Sequence, residues 1–160
     1  MPGRLLLVEP NDVSRQILAA AAASIVEVES HRKFETARAR LWSAPFDFLV
    51  TNVRLGAYNG LHLVYVSSRG HGTPRAIVYS DERDPGLARE VRRAGAFYEV
   101  ATCLPVTLAA YVRGTLPDQD RRDPAITDRR NQVRGGRRCW DGHLYSAGKP
   151  DGGSTASHSG

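Results

Sequence analysis

The sequence predicts an α/β fold with a five-stranded parallel sheet. Up to about residue 116, short apolar runs alternate with amphipathic segments, which is the pattern of successive βα units. Five such units can be counted. The 160 residues, 41% of them hydrophobic, suffice for one domain with a real core and are too few to favour two. We therefore expect one domain over residues 3–116, followed by a tail.

The first two units open the domain. Residues 4–8, RLLLV, form an apolar run, and VSRQILAAAAAS after Asn11 and Asp12 is rich in strong helix formers. Asn11 and Asp12 are residue types that cap helix N-termini. Residues 25–29, IVEVE, alternate apolar and polar side chains, which predicts a strand with one wetter face. FETARARLW at 34–42 predicts the helix that follows.

The third and fourth units contain the most apolar strand candidates. FDFLVTNVRL at 46–55 reads as a buried strand, and a Gly-Asn-Gly loop at 56–60 leads into the helical stretch LHLVYVSS. RAIVYS at 75–80 predicts the fourth strand. In the helix that follows, Pro85 suits the first turn and Gly95 suits the end.

The fifth unit closes the domain, and the composition then changes. AFYEV at 96–100 predicts the last strand, and VTLAAYVRGTL after Pro105 predicts the last helix. Over residues 117–160 aliphatic side chains nearly vanish, while Gly, Ser, Asp and Arg dominate. Such a segment buries too little apolar surface to offset its ordering entropy, so we predict a disordered, basic Gly/Ser/Arg-rich tail.

Charge and targeting signals restrict the partners. The chain carries a formal charge of +5, and residues 121–138 hold seven arginines against two aspartates. We interpret that stretch as a solvated basic tail, with nucleic-acid contact through it as the alternative. No helix-turn-helix pattern follows residue 116. The four-residue apolar run before Glu9 is too short for a signal peptide or a membrane span, so we expect a cytoplasmic protein without membrane association.

The candidate site follows from the fold. In an open parallel sheet, ligands bind beyond the carboxyl ends of the strands, at the point where the strand order reverses. The residues that follow the predicted strands there are Glu9, Pro10, Asn11, Asp12, Asn52, Arg54, Ser80, Asp81, Leu104 and Pro105.

Several of these stretches resemble one known family. LLLVEPND, FDFLVTNVRLGAYNGLHLV, RAIVYSD and AGAFYE with the later LP are similar, in order and spacing, to the response-regulator receiver (CheY-like) domain of two-component signalling. The third stretch is the strongest, because a strand-end polar residue is followed by a loop and then N-G-L-x-L. The resemblance covers roughly residues 3–116. It implies a doubly wound (βα)5 flavodoxin-like fold and a role in phosphorelay signal transduction.

The family's chemistry needs a defined set of groups. A histidine kinase donates a phosphoryl group to an aspartate carboxylate at the end of the third strand. Acids after the first strand hold Mg²⁺, a Ser or Thr after the fourth strand contacts the phosphoryl oxygens, and a lysine before the strand-five proline offsets their charge. Carried over by position, these places hold Asn52 for the aspartate, Glu9 and Pro10 for the acids, Ser80 for the hydroxyl, and Leu104 before Pro105 for the lysine.

At three of these positions the residue type cannot perform the role that the family requires. The Asn52 amide is a poor nucleophile, Pro10 has no side-chain oxygen for a metal, and Leu104 carries no charge. Arg54 matches the family's main-chain metal ligand through its backbone carbonyl, and Asp12 is expected to cap a helix. The loss of two carboxylates and one ammonium changes the local charge by one unit only. We therefore expect a degenerate receiver, or pseudo-receiver, with weak or lost Mg²⁺ binding, no cofactor and no catalytic residue.

The resemblance also implies partners. We predict a stand-alone signalling protein, not an enzyme, that contacts a histidine kinase or a downstream target without aspartyl phosphorylation. The contact face is expected on the fourth helix, the last strand and the last helix, around residues 84–116. The alternative is a receiver that is still phosphorylated on a non-standard residue, such as Ser80 or Asp12.

The polar and aromatic side chains near this edge also have structural interpretations. Asn52 is expected to bond through its amide to the Ser80 hydroxyl or to loop backbone, and Ser80 to be a satisfied strand-end hydroxyl. For Tyr79, Phe97 and Tyr98 we predict core packing, with an aromatic switch as the alternative.

Overall fold

The computed structural model describes residues 3–114. The predicted tail at 117–160, its arginine-rich stretch 121–138 and the predicted domain end at 116 therefore lie outside the described residues. Twelve elements follow one another: β1 Arg4–Val8, α1 Asp12–Ala23, β2 Glu27–His31, α2 Phe34–Ser43, β3 Phe48–Asn52, β4 Arg54–Leu55, β5 Tyr58–Asn59, α3 Leu61–Ser67, β6 Arg75–Ser80, α4 Pro85–Arg93, β7 Phe97–Val100 and α5 Leu104–Arg113.

The main sheet confirms the predicted fold class. Its five strands run in the order β2-β1-β3-β6-β7, and every neighbouring pair is parallel. The strand order reverses between β1 and β3, which places the switch point at their carboxyl ends. The two shortest strands, β4 and β5, form a separate antiparallel hairpin.

Two cores hold the helices on opposite faces of the sheet. Side chains alternate along each strand, so Leu6 and Val8 of β1 point to one core, whereas Leu5 and Leu7 point to the other. The first core contains buried residues of α2, α3 and α4, and the second contains buried residues of α1 and α5. The sheet is therefore covered on both faces, which is why its central strands read as continuous apolar runs.

The structure corrects three local predictions. The third strand spans 48–52 and not 46–55, because the chain turns after Asn52 into the hairpin of β4 and β5. The second strand spans 27–31 and not 25–29, because the backbone N–H groups of Ile25 and Val26 both donate to Ala22 O at the end of α1. The predicted loop at 56–60 contains half of the β4–β5 hairpin, whose turn includes Gly56 at φ +69°. That positive φ favours glycine.

Within residues 3–114, every helix is too short or too polar to span a bilayer.

Candidate functional site

Three strands bring a polar cluster together at the switch point. Glu9 follows β1, Asn52 is the last residue of β3, and Tyr79 lies on β6 directly opposite Asn52 in the parallel register. All three residues are buried, with 2%, 7% and 1% of their surface exposed. We call Glu9, Asn52 and Tyr79 the carboxyl-edge cluster.

The Glu9 carboxylate is the centre of this cluster. Its Oε2 accepts a hydrogen bond from Asn52 Nδ2 at 3.0 Å and another from the Tyr79 hydroxyl. Its Oε1 accepts from the backbone N–H of Asn11 at 2.7 Å. A buried carboxylate is costly unless donors replace its water, and here three donors from three chain segments do so.

The Tyr79 phenol is fixed as a donor in this arrangement. Burial raises the pKa of Tyr79 far above its ordinary value, and the hydrogen bond to Glu9 is the second largest cause. The hydroxyl therefore stays protonated at physiological pH and donates to Glu9. The sequence predicted core packing for this ring. The ring does pack in the second core, but its hydroxyl is part of the polar site.

The Asn52 amide uses both of its ends. Nδ2 donates to Glu9, and Oδ1 accepts from the backbone N–H of Arg54 at 2.9 Å. The expected bond to loop backbone is therefore present, whereas the expected partner Ser80 is replaced by Glu9. The amide links the end of β1 to the loop after β3, and a carboxylate in its place could not donate to Glu9.

Close packing holds the end of β3 in position. A Cβ atom on Gly60 would lie 2.1 Å from the backbone oxygen of Asn52 and 2.7 Å from Thr51 Oγ1, so only glycine fits there. The N–H of Gly60 donates to Val53 O at 2.8 Å. The loop after β3 is therefore packed directly against the strand end that carries Asn52.

The residues after Glu9 do not join the cluster through their side chains. Pro10 is exposed and has no side-chain oxygen to offer. Asn11 caps α1, because its side chain accepts from the N–H of Ser14 at 3.0 Å. The prediction of a cap was therefore right for Asn11 and wrong for Asp12, which is the first residue of the helix.

Asp12 forms an exposed ion-pair group instead. Its Oδ1 accepts from the guanidinium groups of both Arg15 and Arg32. Hydrogen bonds to Arg15, first, and to Arg32, second, lower the pKa of Asp12. Arg15 also donates to the backbone oxygen of Glu9 at 3.1 Å, so this group borders the carboxyl-edge cluster without entering it.

Ser80 belongs to a second hydrogen-bonded group, with Tyr98. The Ser80 hydroxyl donates to Glu82 O at 2.6 Å and lies 2.6 Å from the Tyr98 hydroxyl. The Tyr98 hydroxyl also accepts from the N–H of Asp84 at 2.9 Å. We call Ser80 and Tyr98 the Ser80–Tyr98 pair. It ties β7 to the loop before α4, a role that the sequence did not indicate for Tyr98.

Leu104 and Pro105 begin α5, where the family resemblance places lysine and proline. Leu104 is fully buried and packs in the same core as Tyr79 and Phe97, whereas Pro105 is half-buried. Phe97 packs as predicted, with its ring 5.5 Å from that of Tyr111. The lysine position thus contributes apolar packing beneath the site and no cation.

Comparison with solved structures identifies the fold. The receiver domain of DrrB, from Thermotoga maritima, is 14% identical with a TM-score of 0.62, and the match covers 71% of this chain and 100% of that one. The Vibrio cholerae chemotaxis protein CheY4 is 24% identical with a TM-score of 0.60, covering 68% and 94%. A CheY-like receiver domain from Methanospirillum hungatei is 19% identical with a TM-score of 0.58, covering 68% and 89%.

The chain has the receiver fold. The fold that the resemblance implied is therefore confirmed. By sequence alone the chain matches no protein-family model and no curated protein.

The residues at the receiver's carboxyl edge do not fit Mg²⁺. Both carboxylate oxygens of Glu9 accept hydrogen bonds from protein donors, and Asn52 Oδ1 accepts from Arg54 N. Asp12 is held by two arginines. Within residues 3–114, no group of three or more His, Cys, Asp or Glu side chains is arranged to hold a metal ion. Magnesium prefers several free hard oxygens, whereas the side-chain oxygens of Glu9 and Asn52 already accept hydrogen bonds from protein donors.

Arg54 lies in the hairpin after β3. It begins β4, is exposed, and pairs with Asn59 in the antiparallel register. Asp81 follows β6 and is exposed as well. With Ser80 and the loop before α4, these residues line an open groove of about 930 Å³ beside the carboxyl-edge cluster.

Proposed function

We propose that this receiver-fold protein acts in two-component or phosphorelay signalling by protein–protein contact, without aspartyl phosphorylation. One observation carries the proposal: the amide of Asn52, at the end of the central strand, is hydrogen bonded to the buried carboxylate of Glu9. The position that would accept a phosphoryl group is filled by a group that links two strands.

The chemistry of Asn52 supports the loss of phosphorylation. An amide nitrogen whose lone pair is delocalised is a poor nucleophile, and a mixed anhydride with phosphate requires a carboxylate oxygen. The Asn52 nitrogen is also engaged as a donor 3.0 Å from Glu9 Oε2. The protein accordingly has no catalytic residue in this proposal and is a signalling module, not an enzyme.

The donor set supports weak or lost Mg²⁺ binding. A metal ion at Glu9 would have to displace donors from Asn11, Asn52 and Tyr79, which currently offset the cost of burying the carboxylate. Pro10 and Leu104 supply neither a second acid nor a cation. We propose that the site is a structural junction and not a metal centre.

For the partner contact we propose the face formed by α4, β7 and α5. The last turn of α4 contains Arg92 and Arg93, and α4 packs beside β7, whose Tyr98 anchors the loop before the helix. A basic helix end suits an acidic patch on a histidine kinase or a downstream target.

Exchanging exposed Arg89 and Arg93 for glutamate should weaken partner capture, whereas exchanging Arg38 on α2 should not.

A chemical phosphorylation assay tests the central proposal. The protein is incubated with Mg²⁺ and a small phosphodonor, and its intact mass is followed with time. We expect no gain in mass for the parent chain or for Asn52→Asp, because Pro10 and Leu104 remain. The triple variant Asn52→Asp, Pro10→Asp, Leu104→Lys is the matched positive design and should gain one phosphoryl group. A stoichiometric acyl phosphate on the parent chain would refute the proposal.

One alternative acceptor has structural support of its own. Asp12 is a carboxylate whose side chain is 50% exposed and lies between two arginines that could neutralise phosphoryl charge. Peptide mapping after exposure to donor kinases distinguishes it: a phosphoryl group on Asp12 would replace the proposal with a non-standard receiver. Ser80 is the weaker acceptor, because its hydroxyl is buried and bonded on both sides.

A further inference from the structure

An aromatic surface lies on the side of the receiver formed by α2, α3 and the β4–β5 hairpin. Trp42, Tyr58 and Tyr65 are 54%, 43% and 49% exposed. Tyr58 stacks on the buried ring of Phe34, with the ring centres 4.5 Å apart. We call Trp42, Tyr58 and Tyr65 the aromatic face.

The helices explain why these rings share one side. Phe34, Arg38 and Trp42 are spaced by four residues on α2, so they lie along one side of that helix. On α3, the ring of His62 lies edge-to-face with the ring of Phe34, with the ring centres 6.5 Å apart. Tyr65 lies one turn further along the same side of α3. Between the helix and the hairpin, Phe34, Trp42 and Tyr58 line a groove of about 440 Å³.

Exposed aromatic rings gathered on one side are a common feature of interaction sites. Trp and Tyr are enriched at the centres of protein interfaces, because large amphipathic rings gain much on leaving water. None of the three rings is required to fill the cores, which are closed by other residues on both sides of the sheet. The aromatic face is therefore available to contact a partner.

The charges beside the groove indicate which partner. Glu35 and Arg38 are both exposed on α2 and border the groove. Neither forms an ion pair with another residue of the part that the structure describes. One acid and one base at neighbouring positions suit a two-fold interface, in which each residue meets its opposite on the second copy. A uniformly acidic or basic partner would leave one of the two charges unmatched.

We propose that the aromatic face is a self-association surface through which two copies of this chain form a two-fold dimer. The rings of Trp42 and Tyr58 pack across the axis, and Glu35 of each copy pairs with Arg38 of the other. This surface is distinct from the face of α4, β7 and α5 proposed for signalling contacts, so both can be occupied together. The inference does not depend on whether phosphorylation has been lost.

The first test measures the mass of the full chain in solution by sedimentation equilibrium, over micromolar to near-millimolar concentrations. The mass should rise from the monomer value of 17.5 kDa towards twice that value. Trp42→Ser should remove the rise. Val106→Ser is the matched control, because Val106 is 76% exposed on α5, across the sheet from α2, and should leave the rise intact.

A charge exchange tests the two-fold pairing itself. Glu35→Arg and Arg38→Glu each place like charges opposite one another, so each variant alone should remain monomeric. Mixed in equal amounts, the two variants should associate, because every pair across the axis is then complementary. Both residues are exposed, and circular dichroism should show folding equal to that of the parent.

Three outcomes would overturn the proposal. A parent chain that stays at 17.5 kDa throughout, even if it captures another protein, does not use this face for self-association. A dimer that survives Trp42→Ser, or one lost equally in Val106→Ser, is formed elsewhere. A mixture of the two charge variants that fails to associate excludes the proposed pairing.

Discussion

Two glutamates of this receiver-fold protein each accept hydrogen bonds from at least three donors, but in different surroundings. Glu9, at the carboxyl edge of the sheet, is 2% exposed and meets only neutral donors. Glu29, on the edge strand β2, has a side chain that is 30% exposed and meets Arg4, Arg40 and His31. Burial, and not the number of partners, therefore determines how much stability the protein loses when a donor to each glutamate is removed.

The difference shows why the donors to Glu9 matter more to the fold than the donors to Glu29. A buried carboxylate left without its donors bears the full desolvation cost, whereas a surface carboxylate that loses an arginine is solvated by water. The donors of Glu9 are therefore not interchangeable, and Asn52 is one of them. The variants below break this contrast, from the largest expected effect to the smallest.

Asn52→Asp should destabilise the receiver most. It replaces a donor with a second carboxylate about 3 Å from Glu9, and two like charges that close cannot both ionise without penalty. We expect a loss of about 2–4 kcal/mol in the free energy of unfolding near pH 7. The loss should shrink towards about pH 4, where the folded variant can bind the extra proton. Urea unfolding at both pH values measures it, with Asn59→Asp on the exposed hairpin as control.

A stability of Asn52→Asp equal to that of the parent at neutral pH would contradict the role of Asn52 as a donor. A loss that does not depend on pH would contradict the electrostatic part of the explanation.

Tyr79→Phe should have the next largest effect. It removes the hydroxyl that donates a hydrogen bond to the buried Glu9 carboxylate and changes the shape of the side chain little. We expect a loss of about 1.5–3 kcal/mol in the free energy of unfolding. Tyr98→Phe is the matched comparison, because its hydroxyl meets Ser80 and backbone groups that are closer to solvent. We expect about 0.5–1.5 kcal/mol there. Chemical unfolding measures the loss of unfolding free energy in both variants. A larger loss in Tyr98→Phe than in Tyr79→Phe would contradict the view that the hydrogen bond to buried Glu9 is the more important one.

Arg40→Gln should have the smallest effect on stability and a distinct dependence on pH. The hydrogen bond from Arg40, first, lowers the pKa of Glu29 from 4.5 to about 2. A carboxylate whose pKa is lower in the folded than in the unfolded chain stabilises the fold at pH values above the unfolded pKa. For Glu29 that stabilisation is lost as the pH falls from about 4.5 to about 2.

Because Glu29 is partly exposed and its arginines lie near the surface, we expect Arg40→Gln to cost less than about 1 kcal/mol at neutral pH, and less still in high salt. The parent should lose stability through this acid window more steeply than the variant. Thermal unfolding at a series of pH values measures both slopes, and parallel curves would show that the pair contributes nothing.

Particular residues show how far the sequence predicted the fold. The runs 4–8 and 75–80 match β1 and β6 without error, because strands buried on both faces are continuous apolar runs. Strand β2 was placed two residues early, since Ile25 and Val26 are apolar but complete the turn after α1. The hairpin of β4 and β5 was missed because two-residue strands carry no periodicity.

The site was predicted in position but not in its contacts. Glu9 follows one strand and Asn52 ends the neighbouring one, so the sequence could place both at one edge of the sheet. It could not show that their side chains meet, because the reach of an amide across a sheet depends on register. Tyr79 read as core because its neighbours are apolar, and one signal was available: a phenol hydroxyl in a buried strand needs a partner, and Glu9 was the buried acid nearby.

The most direct test of the central claim observes the Asn52 amide itself. In a ¹⁵N NMR titration, Mg²⁺ and then a small phosphodonor are added while the Asn52 side-chain signals and the Asn11 backbone signal are followed. If the carboxyl-edge cluster is a structural junction, these signals keep their positions and the intact mass is unchanged. Saturable movement of the signals, accompanied by the gain of one phosphoryl group, would contradict it.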